Sequence, residues 1–190
     1  MRIRFLTRQR QMTRRVAGYH DLRLDGISDL LFRARDASVL DIGCNRGLVS
    51  FEFANNGAAL VHGCDYYKKG VHIARELFAD ILGVTSRFEV VDLTGGPAAL
   101  KKSFGKDYKS KYDIVLLLAV YHKLKRQTTD DKLQQLVQHL GERAGRYFAW
   151  RGAHPEDDEI APALKKAGLT RVQTSEISDT IGPAAIWARR

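Results

Sequence analysis

Cysteine is almost absent from these 190 residues: Cys44 and Cys64 are the only two. Stability therefore does not come from a disulfide framework. No Cys-x-x-Cys pair or Cys/His cluster has zinc spacing, so no metal is expected. The expectation is a reduced, cytoplasmic protein with two ordinary buried thiols. Long apolar runs are lacking as well. The longest, Ile114-Val115-Leu116-Leu117-Leu118-Ala119-Val120-Tyr121, is less than half of what spans a bilayer and reads as a strand covered on both faces. No membrane partner is expected, and no apolar leader core opens the chain. Acid is missing from the first twenty residues, which contain Arg2, Arg4, Arg8, Arg10, Arg14 and Arg15. Organelle transit peptides share that composition, but here the segment leads directly into a helical pattern.

What is present is the balance of an ordinary globular domain, 44% apolar and 28% charged, at a length that suits one domain. The formal net charge of +9 is clustered. Beside the N-terminal arginines stand Lys101, Lys102, Lys106, Lys109 and Lys111, and then Lys123, Lys125 and Arg126. Such clusters attract polyanions, acidic substrates or phosphate-bearing surfaces. A solvated basic face accounts for them equally well, so charge alone does not assign nucleic-acid binding.

Apolar spacing predicts a rough helix over 13–32, interrupted by Gly18 and Gly26, within a basic N-terminal helical extension of residues 1–36. From residue 37 to 190 strands and helices alternate. Strands are predicted at 38–42, 59–64, 87–91, 113–118, 146–150, 170–175 and 184–188. Helices are predicted at 48–53, 71–82, 130–140 and 160–167, with Gly83 and Gly168 as stops. Short connections between alternating elements imply one α/β domain with a mostly parallel seven-stranded sheet. The last two strands are joined by a short link around Gly182-Pro183, which implies an antiparallel C-terminal edge.

Ligands of such sheets bind beyond the carboxyl ends of the strands. Gly43 and Gly47 flank a tight turn after the first strand, where a missing Cβ lets backbone approach a ligand. Asp41 precedes the turn and can organise its amides or reach a cationic amino group through water. Asp65 ends the second strand, placed to accept from two ribose hydroxyls, and Asp92 ends the third, placed to accept from an adenine amino group. Each signal is weak alone; their order along three successive strands is stronger.

The segment Val39-Leu40-Asp41-Ile42-Gly43-Cys44-Asn45-Arg46-Gly47 resembles the glycine-rich first motif of the class I methyltransferases. Val61-His62-Gly63-Cys64-Asp65, Phe88-Glu89-Val90-Val91-Asp92-Leu93 and Tyr112-Asp113-Ile114-Val115-Leu116-Leu117-Leu118 are similar to the family's next three motifs. The resemblance implies a Rossmann-like sandwich with S-adenosylmethionine as cofactor. It implies cofactor contacts from Asp41, Gly43, Cys44, Asn45, Gly47, Asp65, Tyr66, Asp92, Leu93 and Leu118. Asn45 stands where many relatives have glycine, and asparagine tolerates left-handed backbone. A nicotinamide-dependent oxidoreductase is the main rival. However, Asn45 and Leu48 replace two glycines of the Gly-x-Gly-x-x-Gly pattern, and no substrate domain is evident.

For catalysis the candidate base is His122, just beyond the fourth strand. Tyr121 is a candidate to orient the acceptor through its hydroxyl, and Lys123 to bind an anionic portion. Tyr19 and His20 read more readily as packing than as cofactor contacts. The loop after the fourth strand lacks an Asn/Asp-Pro-Pro-Tyr-like sequence and has no cysteine, and no RNA-binding module is visible. Two acceptors remain, a small hydroxylated metabolite or sugar and an RNA or phosphate-bearing molecule. A non-catalytic cofactor-binding regulator or subunit is the third reading, weakened because the loop and its acids are intact.

Overall fold

The computed structural model describes residues 23–152, 156–175 and 182–190. The N-terminal arginines, Tyr19, His20, His154 and the first part of the helix predicted over 13–32 lie outside the described residues. Seven strands form one sheet: β1 (Ser38–Ile42), β2 (Leu60–Asp65), β3 (Thr85–Val90), β4 (Tyr112–Leu118), β5 (Ala144–Arg151), β6 (Leu169–Thr174) and β7 (Ala184–Arg189). Their order is β3-β2-β1-β4-β5-β7-β6. The pairs β1–β2, β1–β4, β2–β3 and β4–β5 are parallel, whereas β7 runs antiparallel to both β5 and β6. The chain winds outward from β1 to β3 and in the other direction from β4, so the winding reverses between β1 and β4. A ligand crevice belongs at that point.

Among the described residues six α-helices lie between the strands: α1 (Leu48–Asn55), α2 (Lys68–Phe78), α3 (Gly96–Phe104), α4 (Tyr121–Lys125), α5 (Asp130–Arg143) and α6 (Glu156–Lys166). Strand residues divide between two cores by simple alternation. Ile114 and Leu116 face α1 and α2, where Val39, Val61, Phe53 and Val71 are buried. Val115 and Leu117 face the other layer, with Leu100 of α3, Leu136 of α5, Leu164 of α6 and both tryptophans. With both faces covered, β1 is buried at all five positions.

Some elements differ from the expectation. Residues 28–33 form a 3-10 helix, and Ile27, Leu30 and Ala34 are buried in the α1–α2 core. That core therefore continues upstream of residue 37. Helix α2 starts at Lys68 and stops at Phe78, four residues short of the expected end. Gly83 keeps a left-handed φ of 80° in the turn beyond it. Helix α3 was not anticipated; Pro97 in its first turn removes only a donor that lacks an intrahelical partner there. No helix of the described residues is long and apolar enough to cross a membrane.

The core near β4 contains a buried polar pair, His62 Nδ1 to the Tyr112 hydroxyl at 2.8 Å, with His62 stacked on Phe104 at 5.2 Å. Burial lowers the His62 pKa to about 4, and does the same for His139. Unfolded histidine titrates near 6.5, so below that pH the unfolded chain takes protons that the fold refuses. Their stabilising effect is full above pH 6.5 and is lost as pH falls toward 4. Asp41, raised by burial to about 6, acts oppositely between its unfolded value of 3.8 and 6, because there the fold keeps a proton that the unfolded chain has lost. Two histidines outweigh one aspartate. Urea unfolding at pH 7, 6 and 5 should show stability falling by about 1 kcal/mol per unit below pH 6.5; a flat profile contradicts this account.

Candidate active site

The turn after β1 is built from backbone that few residues adopt. Gly43, Asn45 and Gly47 have φ of 80°, 49° and 72°. The amides of Gly43 and Cys44 both donate to the Cys64 carbonyl at the end of β2, at 2.8 and 2.9 Å. Asp65 completes the attachment. Its Oδ2 accepts from the Asn45 amide and its Oδ1 from the Tyr67 amide, each at 2.9 Å. One carboxylate thus joins the glycine loop to the start of α2.

Packing also requires the two loop glycines. A Cβ on Gly43 would lie 2.1 Å from Val120 Cγ2, and one on Gly47 2.9 Å from the Ala74 Cβ of α2. The Asp41 carboxylate is 3% exposed and accepts from the Ser50 hydroxyl at 2.6 Å. Its predicted role in organising the turn is therefore exercised through helix α1. Asn45 Oδ1 is buried and has no hydrogen-bond partner.

These residues border a cavity of about 600 Å³ at the carboxyl ends of β1, β2, β4 and β5. The cavity brings together most of the sequence-predicted positions: Asp41, Gly43, Cys44, Asn45, Asp65, Tyr66, Asp92, Leu93, Leu118 and His122 all line it. Tyr66 is 68% exposed. Asp92 caps the short 3-10 helix Leu93–Gly95, with Oδ1 accepting from the Thr94 amide and hydroxyl at 2.9 and 2.7 Å. Those bonds hold its carboxyl below the usual carboxylate range. Gly47 lies behind the wall as the N-cap of α1. Cys44 and Cys64 are free and buried, and burial pushes both thiols up, so neither offers a thiolate.

Beyond β4 the chain turns sharply. Ala119 has a left-handed φ of 57°, held by its amide donating to the Arg151 carbonyl at 2.8 Å. A non-glycine residue there costs about 1–2 kcal/mol, and such strain gathers at functional walls. His122 then stands partly buried on the cavity wall in the first turn of α4. Tyr121 requires a correction. It is 2% exposed and is not part of the lining. Its hydroxyl donates to Glu159 at 3.1 Å and accepts from Gln134 Nε2 at 3.2 Å, and its ring meets Trp150 edge-on. It anchors α4 to α5 and α6, so its own hydroxyl does not face the cavity to orient an acceptor.

Lys123 lines the cavity as expected. Arg126, read in the sequence as part of the same basic cluster, stands beside it, and sequence reasoning missed Arg23 and Arg151. For Arg151 a signal existed: it ends a strand, where ligand-binding side chains gather. Arg23 carried none.

A family model described as a methyltransferase domain matches residues 40–145, more than half of the chain. Over 125 residues the chain is 29% identical to the O-antigen chain terminator bifunctional methyltransferase/kinase WbdD of Escherichia coli, covering 63% of this chain and 16% of that protein. Over 147 residues it is 26% identical to ribosomal protein L11 methyltransferase of Ruminiclostridium cellulolyticum, covering 77% and 42%. The chain thus spans less than half the length of these relatives. Magnesium protoporphyrin IX methyltransferase from Synechocystis PCC 6803 with bound SAM has the same fold, with a TM-score of 0.68 at 21% identity over 92% of this chain and 81% of that one. CalS10, an amino pentose methyltransferase of Micromonospora echinaspora, superposes with a TM-score of 0.65 at 16% identity, covering 95% and 96%. The chain belongs to the methyltransferase domain family.

Gly43→Ala should therefore destabilise the fold by roughly 2–4 kcal/mol, combining left-handed strain with overpacking against Val120. Adding Val120→Ala should recover the packing part and leave the strain. Equal thermal stability of Gly43→Ala and wild type would sink the packing explanation.

Proposed function

We propose that this enzyme methylates an oxygen or nitrogen of a small metabolite or sugar. The observation that carries the reading is one cavity with two chemically different walls: Asp41, Asp65 and Asp92 on the β1–β3 side, and His122 on the α4 side. The acids suit the cofactor. Each Asp65 oxygen has one amide partner and keeps a lone pair for a ribose hydroxyl. Asp92 Oδ2 has no protein partner among the described residues and can accept from an adenine amino group. When bound, S-adenosylmethionine supplies a sulfonium-activated methyl group that a nucleophile displaces, releasing a neutral thioether.

The chain's own residues then have two tasks. The rigid loop and the strained Ala119 turn fix the walls against each other, and such orientation contributes roughly 7–11 kcal/mol to reactions of this kind. His122, free of protein hydrogen bonds among the described residues, takes the proton that an acceptor hydroxyl must lose. A neutral amine needs less help. RNA is the second reading; it would meet the exposed Lys101, Lys102 and Lys106 outside the cavity, and its binding would weaken steeply with salt. The intact loop and acids weigh against a purely regulatory role.

Incubation with labelled S-adenosylmethionine and fractionated extract should place label in the small-molecule fraction; label confined to RNA or protein rejects this acceptor class. His122→Gln should lower turnover by about 10²–10⁴-fold with cofactor affinity unchanged. Equal turnover in both proteins ends the case for His122 as base.

A further inference from the structure

Arg151 ends β5, between Leu118 of β4 and Ala184 of β7 in the sheet. It lines the cavity and is 3% exposed. Its Nη1 donates to the Arg23 carbonyl at 2.6 Å and its Nη2 to the Asp25 carbonyl. Both acceptors are neutral. Its Nε is buried without a hydrogen-bond partner among the described residues. Among the described residues no carboxylate hydrogen-bonds or ion-pairs with this guanidinium. A buried charge in that condition is destabilising until an anion reaches it. Burial accordingly draws its pKa down, with the nearby Arg23 acting in the same direction and Asp25 against it.

The surroundings repeat the signal. Arg23, Lys123 and Arg126 line the same cavity, and every acid of the lining belongs to the β1–β3 side. The cofactor's single carboxylate matches one of these four cations and leaves three over. Arginine is suited to the remainder, since its planar fork matches the oxygens of carboxylate or phosphate.

Resting on the methyl-transfer reading above, we propose that the β4–β5 side of the cavity is an oxyanion subsite for the methyl acceptor. Arg151 holds a carboxylate or phosphate group of a small acceptor there, assisted by Arg23, Lys123 and Arg126. A polymer backbone is the less suitable occupant, because it meets exposed side chains, whereas Arg151 is reached only by a group that enters the cavity.

The test titrates inorganic phosphate, and separately acetate, into protein saturated with S-adenosylhomocysteine at constant ionic strength. Saturable binding of one anion per chain is expected. Arg151→Met should weaken it tenfold or more, and Lys123→Gln or Arg126→Gln about threefold each. S-adenosylhomocysteine affinity should stay within twofold in all three variants. Tighter phosphate than acetate assigns a phosphate-bearing acceptor, and the reverse a carboxylate. Arg151 also fastens residues 23–25, so if Arg151→Met fails to fold, the Lys123 and Arg126 variants carry the measurement.

Absence of saturable anion binding overturns the subsite, as does binding unchanged in the variants. So does an Arg151→Met protein that loses S-adenosylhomocysteine affinity tenfold while still binding methylthioadenosine, which lacks the carboxylate, because Arg151 would then serve the cofactor. Displacement of phosphate by an RNA oligonucleotide in an Arg151-dependent manner replaces the small acceptor with a polymer. Protein that binds no S-adenosylhomocysteine undoes the underlying reading and the subsite together; bound S-adenosylhomocysteine without anion binding undoes the subsite alone.

Discussion

The Asp65 carboxylate receives the amide of Asn45 on one oxygen and the amide of Tyr67 on the other. Bonds of a backbone amide to an ionised acceptor are among the stronger ones a protein makes, and here they hold a segment with three left-handed residues in five positions. That turn places Gly47 as the N-cap of α1. Helix α1 in turn places Ser50 against the buried Asp41. The wall of the cavity therefore descends from one carboxylate, and the same carboxylate has lone pairs left for a ligand.

The cavity is also electrically divided. Its acids stand on β1, β2 and the turn after β3, and its cations are Lys123 of α4, Arg126 at that helix's C-cap, Arg151 at the end of β5 and Arg23. Parallel topology makes that division possible, since the strand order reverses between β1 and β4 and each half contributes its own loops. A sulfonium donor bears positive charge and is suited by the acidic side. The opposite side presents His122 and the buried Arg151 guanidinium. The two sites differ in chemistry because they come from different halves of the sheet.

Most of this frame was readable in the sequence because the first three strands are short segments that each end at an acid or glycine, and β4 contains a continuous apolar run. The prediction of β1 over 38–42 coincides with the observed Ser38–Ile42, and the antiparallel edge followed from the short link between β6 and β7. Helix α3 was hidden because only Leu100 and Phe104 carry its inward face besides the glycine at its start. Tyr121 and His122 were indistinguishable as neighbours after a strand. Placed on a helix they point about 100° apart, so one packs against Trp150 and the other borders the cavity. Arg151 stands at a strand end in the sequence, but only the folded chain buries it under the carbonyls of residues 23 and 25.

The claim on which the rest depends is that Asp65 serves both the loop and the cofactor's ribose. Calorimetric titration of S-adenosylhomocysteine into wild type and Asp65→Ala, with circular dichroism melts to establish that both are folded, tests it directly. The account predicts binding weakened by on the order of 1–3 kcal/mol, the range for stranding a polar partner. Unchanged affinity in a folded Asp65→Ala protein would contradict it, because the ribose would then lie elsewhere.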